Sequence, residues 1–166
     1  MSFFAQAARE AAAVTLLDFL TQDYGSCFFG PTIYGSTARG MATVACDLDF
    51  TICADHLPGG RFCRIEEFDR RIEWPLREEW ESRRGCAPID LSPIFRNPSE
   101  LMARSPILFD VTKDARILRD ENGHIAKALD CMRARFERSG PKRVSHRRLS
   151  WWDLRLGLAC GGSYEL

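Results

Sequence analysis

The most constraining feature of this sequence is the segment 34–52, YGSTARGMATVACDLDFTI, in which a glycine-serine turn precedes two closely spaced carboxylates. The carboxylates are Asp47 and Asp49, which are separated by Leu48 and followed by an apolar run. On a strand, whose side chains alternate between faces, both aspartates lie on one face about 7 Å apart. Two like charges at that distance repel each other unless a cation lies between them, and hard oxygen ligands suit Mg²⁺. The segment therefore predicts a divalent-cation site close to a turn.

The size and composition of the chain are those of a globular protein with a core of its own. Its 166 residues predict a single domain at 1–166, with a core at about 25–120 and a C-terminal helix and tail at about 121–166. Hydrophobic residues make up 45% of the chain and charged residues 28%, which are ordinary fractions. Because 23 basic side chains are matched by 23 acidic ones, a long nucleic acid is disfavoured as a partner.

The cysteines and the N-terminal segment both indicate the reducing environment of the cytoplasm. Seven cysteines, an odd number without a CxxC pair, are typical of small buried thiols rather than of disulfides. Arg9 and Glu10 interrupt the N-terminal apolar run and no basic leader precedes it, so neither a signal peptide nor a membrane span is expected. We therefore expect a cytoplasmic protein that has no membrane partner.

Segments with helical and with strand-like patterns alternate along the chain. The predicted helices span residues 3–21, 37–43 and 65–84, and a further helix, capped by residues 120–124, runs to about residue 138. The predicted strands span residues 28–34, 44–54 and 87–92, and residues 107–111 and 115–118 form short strands or a strand and a turn. This order predicts an α/β (α+β) fold in which helices pack on a mixed β-sheet.

The spacing of apolar residues predicts which helix faces are buried. In the first helix one face collects five residues, which are Phe4, Ala8, Ala11, Leu16 and Leu20. In the helix at 65–84 the corresponding stripe is Ile65, Phe68, Ile72, Leu76 and Trp80. Pro75 predicts a kink or a break there, and Trp74 and Trp80 are predicted to be core or helix-packing residues rather than a ligand cage. Asn97 and Glu100 have the spacing of a capping box and predict the start of a short helix.

The turn and the acidic residues together predict a phosphate-handling site. A turn at Gly35 and Ser36 lets backbone N–H groups approach a phosphate without an intervening Cβ, and the Ser36 hydroxyl adds a donor. Metal ions held by Asp47 and Asp49 can orient a triphosphate for in-line attack. Asp90, between two aliphatic residues, is the best candidate for a third carboxylate that completes the cation site. Other acidic residues open to that role are Asp110 and Asp114, for which a loop or capping role is favoured.

These motifs resemble the signature of the DNA polymerase β-like nucleotidyltransferase superfamily, and within it the minimal nucleotidyltransferases of bacteria and archaea. The resemblance implies that Gly35 and Ser36 bind the nucleotide phosphates. It also implies that Asp47 and Asp49 ligate both metals and that Asp90 ligates the catalytic one. Cys46 departs from the pattern, because similar proteins usually carry a small hydroxyl residue at that position. Two interpretations of Arg39 stay open, namely a contact to the triphosphate and an exposed helix arginine.

The resemblance implies that the protein transfers a nucleoside monophosphate from an NTP, taken to be ATP, to a hydroxyl group. Pyrophosphate would be released. Mg²⁺, or Mn²⁺ in its place, is the expected cofactor. The acceptor is either a side chain of a protein partner, as in toxin–antitoxin pairs of similar proteins, or a small molecule such as an aminoglycoside.

Two other classes of protein fit part of the pattern. The segment from Val44 to Thr51 also resembles the first motif of haloacid dehalogenase-like phosphatases, in which Asp47 would be the nucleophile and Asp49 the acid. Phe50 stands where that class commonly has a glycine, and the Gly35-Ser36 turn would then have no role. The third possibility is a nucleotidyltransferase-fold binding module that does not turn over.

Overall fold

The chain folds into helices and strands that alternate for most of its length. The computed structural model describes residues 2–83, 88–103, 108–139, 142–146 and 149–153. The helices are α1 (Ser2–Tyr24), α2 (Gly35–Ala38), α3 (Arg61–Phe68), α4 (Trp74–Ser82), α5 (Pro98–Met102), α6 (Leu108–Asp114) and α7 (His124–Ser139). The strands are β1 (Phe28–Ile33), β2 (Leu48–Ala54), β3 (Leu91–Arg96), β4 (Arg116–Ile117), β5 (Lys142–His146) and β6 (Leu149–Asp153). Among the described residues, every helix is either too short or too polar to span a lipid bilayer.

The central sheet is mixed, as the sequence predicted. Its strand order is β3-β2-β1-β4. β1 runs antiparallel to β2 and to β4, whereas β2 runs parallel to β3. β5 and β6 form a separate antiparallel pair in the C-terminal segment that the sequence left unassigned. A mixed sheet with helices packed on it confirms the predicted α+β class of fold.

The sheet is covered on both faces, and β2 shows how the faces divide. Leu48, Phe50 and Ile52 are fully buried in a core with residues of α1, α3 and α4. Cys53, which points the other way, packs in a second core with residues of α5, α6 and α7. Burial of a large apolar side chain such as Phe50 contributes about 2 to 3 kcal/mol. The two cores fix β2 in register, and this fixes the residues at its start.

Helix α1 occupies the predicted segment, but its buried face is rotated from the predicted one. Phe4 is 80% exposed and Ala11 is also exposed, so their assignment to the buried face was wrong. The buried stripe contains Arg9, which is 1% exposed. An alanine-rich helix has a weak apolar preference, and hydrogen bonds made by Arg9 decide which side is buried. The other buried residues of α1 are Ala5, Ala12, Ala13, Thr15, Leu16 and Leu20.

Three elements begin or end at residues other than those predicted. The predicted helix at 37–43 is instead α2, which ends at Ala38, and Gly40 follows it with φ +71°. The strand predicted at 44–54 begins at Leu48, so Asp47 precedes it. The strand predicted at 87–92 is β3, which begins at Leu91, so Asp90 also precedes its strand. Side-chain contacts from α1, described below, hold residues 44–46 in a loop and so delay the start of β2.

The long helical segment after residue 60 contains the predicted irregularity. A π-helical segment, Asp69–Glu73, joins α3 to α4 just before Pro75. Proline has no N–H to donate, and a local change of helical pitch accommodates that loss. Trp80 is buried as predicted, whereas Trp74 is 70% exposed and is not a core residue. The segment at 107–111, predicted as strand, lies in part in helix α6, because Val111 packs against α7.

The predicted helix caps are present. Asn97 accepts a hydrogen bond from the backbone N–H of Glu100 at 2.8 Å, and the Glu100 carboxylate accepts one from the N–H of Asn97 at 3.1 Å. Asp120 accepts hydrogen bonds from the N–H groups of Ile125 and Ala126 at the start of α7. Each such cap stabilises its helix by about 1 kcal/mol.

Replacement of Gly30 by alanine should destabilise the fold strongly. Gly30 has φ +150°, and a Cβ there would lie 1.9 Å from the carbonyl oxygen of Arg119. We expect Gly30→Ala to lower the free energy of unfolding by about 3 kcal/mol. Gly25→Ala, at φ +53° with no described atom within 4 Å of its Cβ, should cost only about 1 kcal/mol. Urea denaturation measures both, and equal losses would contradict the close approach of Arg119.

Candidate active site

The turn that follows β1 is in direct contact with one of the two paired aspartates. The backbone N–H of Tyr34 donates to the carbonyl oxygen of Asp49 at 3.1 Å, which extends the β1–β2 pairing by one residue. Gly35 then adopts φ +69°. A Cβ on Gly35 would lie 2.3 Å from Oδ2 of Asp49. Glycine suits this backbone conformation, and any side chain at this position would also force the Asp49 carboxylate to move.

The parallel pairing of β2 with β3 brings the third aspartate to the same place. Leu48 pairs with Leu91, and the backbone N–H of Leu48 donates to the carbonyl oxygen of Asp90 at 2.8 Å. Continuing this register by one residue places Asp47 beside Asp90, with backbones about 4.8 Å apart. The sequence reasoning that put Asp90 within the strand was wrong by one residue, but its position next to Asp47 follows from the register.

The three carboxylates are not assembled into a closed metal cluster. Asp47 and Asp90 are exposed, and Asp49 is half-buried. No group of three or more His, Cys, Asp or Glu side chains within the described ranges is arranged to hold a metal ion. Water screens the repulsion between exposed carboxylates, so they can remain apart and charged. The donor set itself, carboxylate oxygens beside a glycine turn, has the chemistry that Mg²⁺ and Mn²⁺ prefer.

The Cys46 thiol is hydrogen-bonded to Thr43 at the start of the loop that leads to Asp47. The backbone N–H of Thr43 lies 3.4 Å from the Cys46 sulfur, and the Thr43 hydroxyl lies 3.2 Å from it. Hydrogen bonds from Thr43, and then one from the Ser36 side chain, lower the pKa of the Cys46 thiol. Cys46 therefore accepts hydrogen bonds that a hydroxyl oxygen at this position could also accept. Cys46 thus stands where similar proteins usually have a hydroxyl residue. It keeps a polar contact at this position, with sulfur in place of oxygen.

Arg39 forms an ion pair with the end of helix α6. Its guanidinium donates to a carboxylate oxygen of Asp114, the last residue of α6, at 2.8 Å. The ion pair ties the end of α2 to α6. A contact between Arg39 and a nucleotide phosphate stays a prediction, and it requires the pair with Asp114 to open or the guanidinium to serve both groups. Asp114, the alternative third carboxylate, is therefore already paired with Arg39.

The sequence reasoning missed two residues of α1 that hold the segment between the turn and Asp47. Arg9 donates from Nη2 to the carbonyl oxygens of Cys46 at 2.6 Å and of Val44 at 3.1 Å, and from Nε to Cys46 at 3.2 Å. Gln6 donates to the carbonyl oxygen of Thr37 at 2.9 Å and accepts from the N–H of Ala42 at 3.1 Å. These bonds give the irregular backbone of residues 37–46 the partners that a helix or sheet would otherwise supply.

The position of Arg9 in the sequence indicates that its side chain is buried. Arg9 is spaced from Ala5, Ala12, Leu16 and Leu20 as residues of one helix face are, so the charge falls within the apolar stripe. A charged residue in a buried stripe costs free energy unless it is paired, and such a residue often has a local structural task. Gln6 carried no comparable signal, because glutamine is common on exposed helix faces.

The comparisons with known proteins concern the fold. No protein family and no curated protein matches the sequence. Solved structures that resemble the chain include a candidate nucleotidyltransferase from Sulfolobus solfataricus, with a TM-score of 0.46 and 17% identity over 72% of this chain and 86% of that one. Another is a toxin–antitoxin complex with AMP-PNP, with a TM-score of 0.43 and 15% identity over 75% of this chain and 90% of that one.

A third solved structure is that of a tri-AMPylated Shewanella oneidensis HEPN toxin in complex with an MNT antitoxin. Its TM-score is 0.38, with 15% identity over 80% of this chain and 91% of the matched chain. At this level of similarity the likenesses assign no activity to the chain, whose chemistry follows from its own site.

Loss of the Arg9 side-chain donors should loosen the loop before β2. Arg9→Met keeps much of the side-chain length but leaves the carbonyls of Val44 and Cys46 without a partner, so we expect a loss of about 2 to 4 kcal/mol in unfolding free energy. Hydrogen exchange of backbone amides in residues 40–47 should accelerate more than that of β1 and β2. The matched control is Arg116→Met, which removes an exposed ion pair with Glu10 and should cost less than about 1 kcal/mol. Unchanged exchange in the loop of the Arg9 variant would contradict the assigned role.

Proposed function

We propose that this chain is a nucleotidyltransferase that transfers AMP from ATP to a hydroxyl group of a protein or small-molecule acceptor and releases pyrophosphate. The balanced charge of the chain argues against a long nucleic acid as the acceptor. In the proposed reaction the acceptor oxygen forms a bond to the α-phosphorus, and the bond from that phosphorus to the oxygen bridging to the β-phosphate breaks. The proton of the acceptor hydroxyl passes to a carboxylate of the site.

The contact between Gly35 and Asp49 is the observation that carries this proposal. The Oδ2 atom of Asp49 occupies the space where a Gly35 side chain would lie. The backbone N–H groups proposed to bind phosphate therefore lie next to a carboxylate proposed to bind the cation. A phosphate bound at the turn would come directly beside Asp49, and negative phosphate oxygens next to a carboxylate require a cation. Such a combination serves a nucleotide that is bound as its metal complex.

Asp47 and Asp49, with Asp90, would hold Mg²⁺ or Mn²⁺. A bound cation at such a site neutralises charge that develops on the phosphate oxygens and orients the triphosphate for in-line displacement. The exposure of Asp47 and Asp90 leaves both side chains free to rotate toward a common centre. Because the described carboxylates are not preassembled, the proposal requires their side chains to reorient when the nucleotide complex binds.

The remaining roles follow from the positions of the protein groups. The backbone N–H groups at Gly35 and Ser36 and the Ser36 hydroxyl would donate to phosphate oxygens and fix the triphosphate. Asp90, which is exposed just before β3, would accept the proton of the acceptor hydroxyl. Arg9 and Gln6 touch none of the reacting groups and act as positioning residues for the loop that ends at Asp47. Catalysis would then depend mainly on positioning and on neutralisation of charge.

The other two classes are less well supported. A phosphatase that uses Asp47 as its nucleophile leaves the packing of Gly35 against Asp49 without a function. A binding module would keep nucleotide affinity without turnover, and the experiments below separate it from an enzyme.

A matched pair of glycine variants tests the contact at the turn. Gly35→Ala and Gly40→Ala introduce the same methyl group at φ +69° and φ +71°, so the backbone strain is equal. Only the Gly35 methyl meets the Asp49 carboxylate, whereas no described atom lies within 4 Å of a Cβ on Gly40. By calorimetry in the presence of Mg²⁺, Gly35→Ala should weaken ATP binding about tenfold or more, and Gly40→Ala by less than about threefold. Equal weakening by the two variants would exclude a role for this contact in nucleotide binding.

The cation requirement is tested by neutral variants of the paired aspartates. Asp47→Asn combined with Asp49→Asn should abolish Mg²⁺-dependent ATP binding while leaving the folded structure, measured by circular dichroism, unchanged. With the wild-type protein, label from the α-phosphate of ATP should appear on an acceptor in step with pyrophosphate release. ATP binding that is equal in both proteins and independent of metal would overturn the proposal. Metal-dependent binding without transfer to any acceptor would favour the binding module, and phosphate release from phosphomonoesters would favour the phosphatase.

A further inference from the structure

A cavity lies beside the C-terminal half of β3, away from Asp47 and Asp90. It has a volume of about 310 Å³ and is lined by Gly60, Arg61 and Arg64, by residues 93–96 of β3, and by Glu100. Residues 93–96 follow Asp90 by three to six positions, so the cavity lies about 10 to 20 Å along the strand from that aspartate. Its ligand would therefore occupy a separate site.

The cavity carries an excess of positive charge. Three guanidinium groups, those of Arg61, Arg64 and Arg96, line it together with the single carboxylate of Glu100. Arg64 binds both oxygens of Glu100 at 2.7 Å and the carbonyl oxygen of Pro58 at 2.8 Å. Arg64 and Glu100 thus neutralise each other. Arg61 and Arg96 make no ion pair with a described residue, so the cavity lining has two more positive than negative side chains.

Arg96 has hydrogen-bonding capacity that the described protein groups do not use. Its Nε is buried and has no hydrogen-bond partner among the described residues. Its Nη1 makes one long contact, of 3.4 Å, to the carbonyl oxygen of Phe95. Leaving an N–H of a charged group buried without an acceptor costs free energy, so a shift of the Arg96 side chain that brings this N–H to an anion in the cavity would be favourable.

The start of helix α3 adds further donors to the same cavity. Gly60 is the N-cap residue, with φ +87°, and no side chain caps the helix. The first N–H groups of α3 are therefore not satisfied by a capping side chain, and the positive end of the helix dipole favours an anion. Gly60 and Arg61 line the cavity directly. Guanidinium groups and helix N–H groups that converge on one cavity are the chemistry of phosphate recognition.

We propose that this cavity binds the phosphate group of a small phosphate monoester of sugar size. Pro93, Ile94 and Phe95 provide apolar surface beside the arginines, against which the organic part of the ligand would pack. The volume is at the lower end of the range for small-molecule sites, which fits a sugar phosphate better than a larger cofactor. The site does not depend on the activity proposed above, because it shares no residue with it.

Ribose 5-phosphate is a suitable probe, followed by NMR of the ¹⁵N-labelled full chain at constant ionic strength. EDTA in the buffer removes divalent cations, so binding at the aspartates cannot contribute and failure of the proposed activity would not affect the result. We expect saturable shifts of the backbone amides of residues 60–64 and of the Arg96 Nε–H resonance. Unphosphorylated ribose should produce none. Absence of saturable shifts at these residues, or shifts confined to Gly35 and Ser36, would overturn the proposal.

Two matched charge variants separate a site from general attraction to a basic surface. Arg61→Gln and Arg70→Gln each remove one exposed arginine charge from the same long helical segment, but only Arg61 lines the cavity. Arg61→Gln should weaken ribose 5-phosphate binding about tenfold, as expected for loss of one charge-assisted hydrogen bond, whereas Arg70→Gln should leave it within about twofold. Arg96→Lys, which keeps the charge but removes the Nε donor, should also weaken binding. Equal weakening by Arg61→Gln and Arg70→Gln would show that no specific site exists.

Discussion

The absence of a side chain at Gly35 is the constraint on which the rest of the site depends. Because the carboxylate of Asp49 lies where a Cβ would be, the turn after β1 can close directly onto β2. That closure lets the N–H of Tyr34 extend the β1–β2 ladder. The parallel neighbour β3 then fixes Asp90 beside Asp47. The close approach at Gly35 thus joins the turn to Asp49, and the β2–β3 register adds the residues Asp47 and Asp90 that precede the two strands.

The backbone between the turn and Asp47 has little regular structure, so its order depends on other elements. Helix α1 supplies that order through two polar side chains, at the cost of burying a guanidinium. The carbonyls of Val44 and Cys46 offset part of this cost, although Nη1 of Arg9 finds no partner among the described residues. A helix that covers the core on one side is therefore also part of the framework of the site.

The elements that the sequence predicted well have causes that act within a few residues. The capping box at Asn97, the irregularity before Pro75 and the alternation of Leu48, Phe50 and Ile52 are all local effects. The errors came from long-range contacts. Strand β2 begins late because Arg9, far away in sequence, captures the carbonyls before Asp47. Residues 107–111 formed an apolar run too short to distinguish strand from helix, and packing against α7 decided the outcome.

The bonds from Arg9 also have a kinetic meaning. They join residues that are 35 and 37 positions apart, so the loop before Asp47 can become ordered only after a long segment of chain has closed. Contacts of large sequence separation tend to form slowly, whereas α1 and the β1–β2 hairpin can form from nearer neighbours. Residues 44–46 are consequently expected to become ordered after α1 and the β1–β2 hairpin. A newly made chain would therefore form its local helices and hairpin before the backbone that leads to Asp47 took its final shape.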